Sequence, residues 1–226
     1  MTRITRYPLF MPLIVYTLLA AAVGFALGWW PLAAWASHAM NDERMSQRAI
    51  RISSAIITAA TFGLITWRFD VSWLMPVLLV FAAAATVLTV VDLAEKRLPN
   101  AVIFPTLAVV GILLVPPTWA LGTWIQLVWA VVGAAAMFAG YFILALISPA
   151  SMGMGDVKLA LVIGLLLGWF GLSAWLIGLL AAFVVGGVIA LVALTLRRVT
   201  LRGSIPFGPS MLAGALIAVL LVGAAG

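Results

Sequence analysis

Long apolar runs dominate the chain and leave it few ways to fold. Eight stretches carry almost no charge, and short polar segments separate all of them except the sixth and seventh, which adjoin. A helix that crosses the hydrocarbon core of a bilayer needs about 20 such residues. In lipid, an open chain can pair its backbone N–H and C=O groups only by forming helices. The pattern therefore predicts an all-α, polytopic transmembrane bundle of about eight helices, with six or seven as the alternative. The predicted spans are residues 8–30, 49–67, 73–91, 101–115, 119–147, 157–171, 172–196 and 205–225.

Composition supports a membrane domain and argues against a soluble one. Of 226 residues, 66% are hydrophobic and only 8% are charged, which is too little charge to cover a soluble domain of this size. We expect a single integral membrane domain over residues 1–226, in which 1–70 form N-terminal helices and 71–226 carry the chemistry. The net charge of +6 would suggest nucleic acid in a soluble protein. Here the basic residues lie between apolar runs, so we predict the lipid bilayer as partner and no nucleic acid.

The distribution of basic residues predicts an orientation. Nine Lys and Arg residues lie in segments 38–51, 95–97, 158 and 197–202, which the predicted spans place on one side of the membrane. Only three lie on the other side: Arg3, Arg6 and Arg68. Because basic residues are retained on the cytoplasmic side of a membrane, the first set is predicted to be cytoplasmic. Both termini are then outside a cell membrane that the chain crosses many times, and the first apolar run is a retained span.

Two carboxylates stand out against this apolar background. Asp92 ends the third run and Asp156 begins the sixth, and both fall on the predicted cytoplasmic side. The runs that follow them, 101–115 and 157–171, span only about 23 Å as helices. Either the bilayer thins there or the loops dip into it, and both options bring the carboxylates close to a membrane-embedded peptide. The plainer alternative is that Asp156 caps a helix and Asp92 faces water.

A pair of carboxylates can hydrolyse a peptide bond. One, ionised, activates water, and the other, protonated, polarises the scissile carbonyl. Because the N-terminus of a helix favours an anion, Asp156 is the first candidate for the base and Asp92 for the acid.

Neighbouring residues predict how such a site is built. Gly153 and Gly155 precede Asp156 and are expected to allow unusual backbone geometry and the close approach of another chain. Pro99 is expected to break the chain before the fourth helix. Lys158 is interpreted as an interfacial anchor, with stabilisation of the Asp156 anion as the alternative.

Three motifs in order resemble the type 4 prepilin peptidases, which are membrane aspartyl proteases of the Gly-x-Gly-Asp class. Asp92 with Leu98-Pro99-Asn100 resembles the family's first catalytic motif. The second motif is matched by Gly153-Met154-Gly155-Asp156-Val157-Lys158-Leu159. The segment that opens the family's last helix resembles Ile205-Pro206-Phe207-Gly208-Pro209. The resemblance implies that Asp92 and Asp156 are catalytic, without cofactor or metal. It also implies that the supporting residues are Gly153, Gly155, Lys158, Pro99, Asn100, Pro206 and Gly208.

The resemblance also implies a substrate. It is the short basic leader of a type IV pilin, pseudopilin or Flp-type subunit, cut after a glycine at the cytoplasmic face. Larger members of the family carry an insert after the first helix, with paired Cys-x-x-Cys, that is linked to N-methylation of the trimmed subunit. Here only 31–48 separates the first two predicted spans, and cysteine is absent. We therefore expect the short, peptidase-only form.

Other catalytic classes fit less well. Serine catalysis needs a Ser–His pair, and the single histidine, His38, is expected in a loop; no His-Glu-x-x-His zinc motif exists. Presenilin-like and signal-peptide-peptidase-like proteases share Gly-x-Gly-Asp, but their first Asp follows a Tyr, whereas Val91 precedes Asp92 here. They remain the enzymatic alternative, and a transporter or assembly protein with intramembrane acids is the non-enzymatic one.

Overall fold

The computed structural model describes residues 10–41, 45–70, 72–148, 152–196 and 206–222. Within these ranges the regular structure is entirely helical, which confirms the predicted all-α polytopic bundle. The helices form eight rods, because two of the rods are built from consecutive helices. The helices are α1 (Phe10–Leu27), a π-helical turn (Gly28–Leu32), α2 (Ala33–Ala39), α3 (Gln47–Phe69), α4 (Met75–Glu95), α5 (Asn100–Leu113), α6 (Val115–Leu121), α7 (Trp124–Ile147), α8 (Met154–Trp169), α9 (Leu172–Thr195) and α10 (Gly208–Val222).

Six rods are long and apolar enough to cross a membrane. These are Leu13–Ala39, Gln47–Phe69, Met75–Glu95, Asn100–Leu121, Trp124–Ile147 and Leu172–Thr195. The other two, α8 and α10, have 16 and 15 residues and are therefore only about 23 Å long.

The first rod is longer than predicted. It continues past Trp30 through the π-helical turn and α2 to Ala39. Pro31 has no N–H and would break a regular helix, but the wider π turn accommodates it. The expectation that 31–48 is a connecting segment is therefore wrong, since only 40–46 separates the two helices. His38 is helical as well, with Nδ1 2.8 Å from the carbonyl oxygen of Ala34.

The fourth rod is also longer than predicted. It continues beyond residue 115 through α6, because the two prolines after Val115 lie in the first helical turn, where no partner for their nitrogen is needed. The rod ends at Gly122, which has a positive φ of 68°. Of the two spans expected to be short, only the one formed by α8 is, because α5 continues into α6. It begins at Met154, so Asp156 lies inside its first turn. Residues 205 and 223–225 of the last predicted span lie outside the described ranges.

Successive rods run in opposite directions, so their ends gather at two faces. We call one the aspartate face; it contains the α2–α3 and α4–α5 connections and the starts of α8 and α10. There the Arg97 guanidinium donates to the Ala39 carbonyl oxygen at 2.7 Å, and Glu95 accepts from the Asn41 N–H at 2.7 Å. At the opposite face, Arg68 Nε donates to the Leu220 carbonyl oxygen at 2.7 Å.

The two helices that carry the aspartates are, together with α10, the most enclosed. Ten of the sixteen residues of α8 are buried and eleven of the twenty-one of α4, compared with three of twenty-four in α9. In the most apolar part of α4, 61% of the residues are buried inside the protein, against 11% in the first rod and in α9. The lipid-facing helices thus surround α4 and α8.

Small residues hold α8 against α7. A Cβ atom added at Gly164 would lie 2.5 Å from the Gly133 carbonyl oxygen and 2.9 Å from Ala134 Cα. Close backbone approach through small residues is a principal means of packing helices in membranes.

We predict that Gly164→Ala lowers the free energy of unfolding by about 1–3 kcal/mol, because the added methyl group has no space between the helices. Gly140→Ala on α7 is the matched control, since no atom lies within 4 Å of its added Cβ. It should be neutral or stabilise by up to about 1 kcal/mol through helix propensity. Thermal or denaturant unfolding in detergent measures both, and an equal effect of the two substitutions would contradict this packing.

Candidate active site

Asp92 lies in the last turn of α4 and is almost fully enclosed, with 4% of its surface exposed. Its Oδ2 accepts a hydrogen bond of 3.1 Å from the backbone N–H of Gly208, the first residue of α10. The unpaired N–H groups at the start of a helix carry partial positive charge. The N-terminus of α10 therefore compensates the burial of this carboxylate.

Asp156 is the third residue of α8 and is half-buried. Its N–H donates to the Gly153 carbonyl oxygen at 3.1 Å. Asp156 and Asp92 are close enough to interact electrostatically. The fold thus brings the two predicted carboxylates to one place on the aspartate face.

Leu98 is the apolar residue that joins the segments of the site. A Cβ atom at Gly155 would lie 3.0 Å from Leu98 Cβ, and one at Gly208 would lie 3.2 Å from Leu98 Cδ2. Leu98 itself is 8% exposed. It therefore fills the space between the starts of α8 and α10. Sequence reasoning placed Leu98 in a motif but not among the supporting residues, because a leucine in an apolar chain gives no distinguishing signal.

Neither of the two glycines before Asp156 has unusual backbone angles, and what matters is the space that a missing side chain leaves. Gly153 has an ordinary extended conformation (φ −76°, ψ 147°), and Gly155 lies in α8. Among the described glycines, only Gly122 and Gly171 have positive φ, so the expectation of unusual geometry is wrong for both. Close approach applies to Gly155, where an added side chain would press against Leu98. A Cβ at Gly153 would make only an ordinary contact of 3.6 Å with Asp156 Oδ2.

Lys158 and Asn100, both predicted to support the site, contact each other. Lys158 Nζ donates to Asn100 Oδ1 at 3.1 Å and lies 6.0 Å from the centre of the Phe104 ring. This contact joins the N-terminal parts of α8 and α5. Within the described part of the chain, Lys158 and Asp156 form no ion pair.

The two remaining supporting prolines flank helix starts. Pro99 is buried and directly precedes α5, where its carbonyl oxygen accepts from the N–H groups of Val102 and Ile103 at 3.0 and 3.1 Å. Pro206 is half-buried and lies two residues before α10. Pro99 thus starts the helix that sequence reasoning assigned to it.

Tyr141 was not anticipated from the sequence. It is 2% exposed, stacks on Phe183 at a ring distance of 6.0 Å, and interacts electrostatically with Asp156. Phe207, directly before Gly208, completes this aromatic group at 5.4 Å from Phe183. A tyrosine inside a long apolar run carries no positional signal, so only packing reveals that it lies within electrostatic range of Asp156.

The arrangement supplies two interacting carboxylates and no metal-binding cluster. Among the described residues no group of three or more His, Asp or Glu side chains could hold a metal ion. Asp156 lies at the start of its own helix, and Asp92 accepts from the start of α10. Both carboxylates therefore face a helix N-terminus, which removes the basis for assigning Asp156 as base and Asp92 as acid.

Comparison with known proteins gives a consistent family. The type IV leader peptidase family model matches residues 79–191, which is half of the chain and includes both aspartates. The chain is 28% identical over 171 residues to a protein of Bacillus subtilis (strain 168) called prepilin leader peptidase/N-methyltransferase, covering 74% of this chain and 64% of that protein. The chain is also similar to two proteins of the same name. It is 28% identical over 160 residues to that of Stutzerimonas stutzeri, which covers 70% of this chain and 54% of that protein. It is 29% identical over 161 residues to that of Pseudomonas putida, which covers 69% of this chain and 53% of that protein.

The matches thus span between about half and two thirds of the length of these relatives. No solved structure matches the chain at a significant level. The family match over α4 to α9, the helices that bring Asp92 and Asp156 together, shows that the chain belongs to the type IV leader peptidase family.

Proposed function

We propose that the chain is a membrane-embedded aspartyl endopeptidase that removes the short basic leader of prepilin-like precursors, cutting after a glycine. The observation that carries this proposal is the interaction of Asp92 with Asp156 at one face of a membrane bundle. Family membership and the names of the relatives support the substrate class. Type IV pilins, pseudopilins and Flp-type subunits are the candidate precursors.

The reaction is the hydrolysis of one peptide bond. The ionised carboxylate takes a proton from water as the water oxygen attacks the scissile carbonyl carbon, while the protonated carboxyl group donates to the carbonyl oxygen. The tetrahedral intermediate then collapses: the carboxyl group that took the proton from water passes it to the leaving nitrogen as the C–N bond breaks, and the hydroxyl formed from the carbonyl oxygen returns its proton to the other carboxylate. In this scheme the Gly208 N–H orients Asp92, and Leu98 keeps the starts of α8 and α10 at a fixed separation.

The aspartate face is proposed to be cytoplasmic. It holds all the described Lys and Arg residues except Arg68, which lies at the opposite face, and retention of basic segments favours the cytoplasmic side. A basic leader would be retained on that same side, within reach of the carboxylates. Both termini would then be outside, although residues 1–9 and 223–226 lie outside the described ranges.

N-methylation of the product is not part of the proposed function. The relatives carry this activity in their names, but here only residues 40–46 separate α2 from α3. That connection is too short to hold an additional folded insert, and the chain has no cysteine.

We predict that Asp92→Asn and Asp156→Asn each lower leader cleavage by at least about 100-fold, since each removes one partner of the acid–base pair. Asp70→Asn is the control: this carboxylate ends α3 at the opposite face, and asparagine has nearly the same size and shape as aspartate. Cleavage is followed as a mobility shift of co-expressed prepilin and pseudopilin precursors. Normal processing by either Asn variant at normal membrane levels would reject the aspartyl mechanism.

We predict that Gly208→Ala lowers kcat by about 100-fold with little change in KM. The added Cβ would lie 2.7 Å from Asp92 Oδ2, so the carboxylate must move, and small displacements of reacting groups have effects of this size. Gly187→Ala on α9, where no atom lies within 4 Å of the added Cβ, is the matched control. A change confined to KM would indicate that Gly208 contacts substrate and does not position Asp92.

We predict that the trimmed product keeps a free, unmethylated α-amine. Intact-mass measurement of a precursor processed in the presence of S-adenosylmethionine tests this. The Bacillus subtilis relative, assayed in parallel, controls for the assay. A product heavier by one methyl group would show that the shorter chain retains the second activity.

A further inference from the structure

A cavity of about 210 Å³ lies between the end of the first rod and the start of α3. We call it the α2–α3 cavity; it is lined by Trp30, Ala34, Ser37, His38, Gln47 and Arg51. Five of these residues are exposed and Ser37 is half-buried, whereas Ala33, Ala36 and Ile50 on the same helices are buried. The cavity therefore opens on the outer surface of the bundle. None of its lining residues belongs to the candidate active site.

The polar part of the α2–α3 cavity offers hydrogen-bond donors to a ligand. Among the residues that the structure describes, none forms a hydrogen bond or ion pair with the Arg51 guanidinium. Ser37 Oγ donates to Gln47 Oε1 at 3.3 Å, which leaves the amide N–H groups of Gln47 for another acceptor. A guanidinium has five N–H donors and binds phosphate and carboxylate oxygens in pairs. Arg51 and Gln47 thus form a site for an anion.

The cavity lies at the level of the lipid headgroups. The first rod, Leu13–Ala39, has 27 residues and is therefore about 40 Å long, whereas the hydrocarbon core of a bilayer is about 30 Å thick. Its polar residues Ser37 and His38 are at the end on the aspartate face, so that end is the one that extends beyond the hydrocarbon. Gln47 and Arg51 lie in the first two turns of α3, beside that end.

The other end of the cavity is apolar and faces lipid. Trp30 lies eight residues before His38, or about 12 Å deeper in the membrane. Its side chain is 77% exposed, and tryptophan rings favour the boundary between headgroups and hydrocarbon. Exposed apolar side chains continue from there along α1 at Leu27 and Val23. A ligand that fills the cavity therefore has an anionic head and an apolar body.

We propose that the α2–α3 cavity binds an anionic glycerophospholipid. Its phosphate oxygens accept from Arg51 and Gln47, and its glycerol and first acyl carbons lie against Trp30. Such lipids are enriched in the cytoplasmic leaflet, and basic pockets between membrane helices are suited to their headgroups. A zwitterionic lipid offers the same phosphate but adds a cation, which Arg51 repels. The site requires no catalytic activity, so it stands apart from the proposed proteolysis.

The first test measures lipid binding directly. The purified full chain is titrated in detergent with phosphatidylglycerol, and bound lipid is counted by native mass spectrometry, with zwitterionic phosphatidylcholine as the comparison. We expect one phosphatidylglycerol site, and Arg51→Gln should raise its Kd about tenfold, because a hydrogen-bonded charge is lost. Arg48→Gln is the matched control, since it removes the same charge from the same helix but does not line the cavity.

The control should change the Kd by less than about twofold, as expected for an exposed charge. Equal effects of the two substitutions would overturn the proposal, because they would indicate general attraction of lipid to a basic surface. Equal affinity for phosphatidylcholine would likewise reject recognition of an anionic lipid.

A second variant tests the cavity without changing any charge. Ala34→Phe fills the α2–α3 cavity and should weaken phosphatidylglycerol binding at least as much as Arg51→Gln does. Ala135→Phe, on the exposed surface of α7, is the matched control and should leave binding unchanged. Normal binding by Ala34→Phe would reject this cavity as the site.

Inorganic phosphate as a competitor distinguishes the two sources of the anion. At a concentration equal to that of the lipid it should not displace phosphatidylglycerol, because it makes no contact with Trp30 or α1. Displacement by phosphate at that concentration would overturn the lipid assignment and indicate a site for a soluble phosphate group.

Discussion

Burying a carboxylate beside hydrocarbon is costly unless its oxygen atoms find donors, and the aspartate face is built around this constraint. Asp92 is almost fully enclosed, and the N-terminus of α10 supplies its hydrogen bond. That contact requires α10 to begin at the level where α4 ends. Leu98 then separates the starts of α8 and α10. One polar requirement thus sets the relative heights of three helices.

The same arrangement places the two carboxylates at one face of the bundle on a well-packed base. α4 and α8 are enclosed by the remaining helices, and the close packing of α8 on α7 through Gly164 fixes its position. The lipid-facing helices have few enclosed residues, as in α9. The two carboxylates are therefore held by well-enclosed helices.

Much of the fold followed from local physics. Run length and the backbone requirement in lipid were enough to predict an all-α polytopic bundle. The errors in span boundaries arose at prolines: Pro31 lies within a π turn, and Pro116 and Pro117 lie in a helical first turn. Hydropathy cannot resolve such cases. Some prolines interrupt a helix and others are accommodated within one, and both kinds occur in the same apolar context.

By itself the sequence determined the helical membrane fold, the two unusual carboxylates and, through three motifs, the family to which the chain belongs. Only the tertiary structure decided that Asp92 faces the start of α10, that Lys158 binds Asn100, and that Leu98 and Tyr141 adjoin the site. The physical reason is that lipid and protein interior are both apolar. A hydrophobic residue in this chain does not indicate which of the two it contacts, so its neighbours emerge only when the helices are packed.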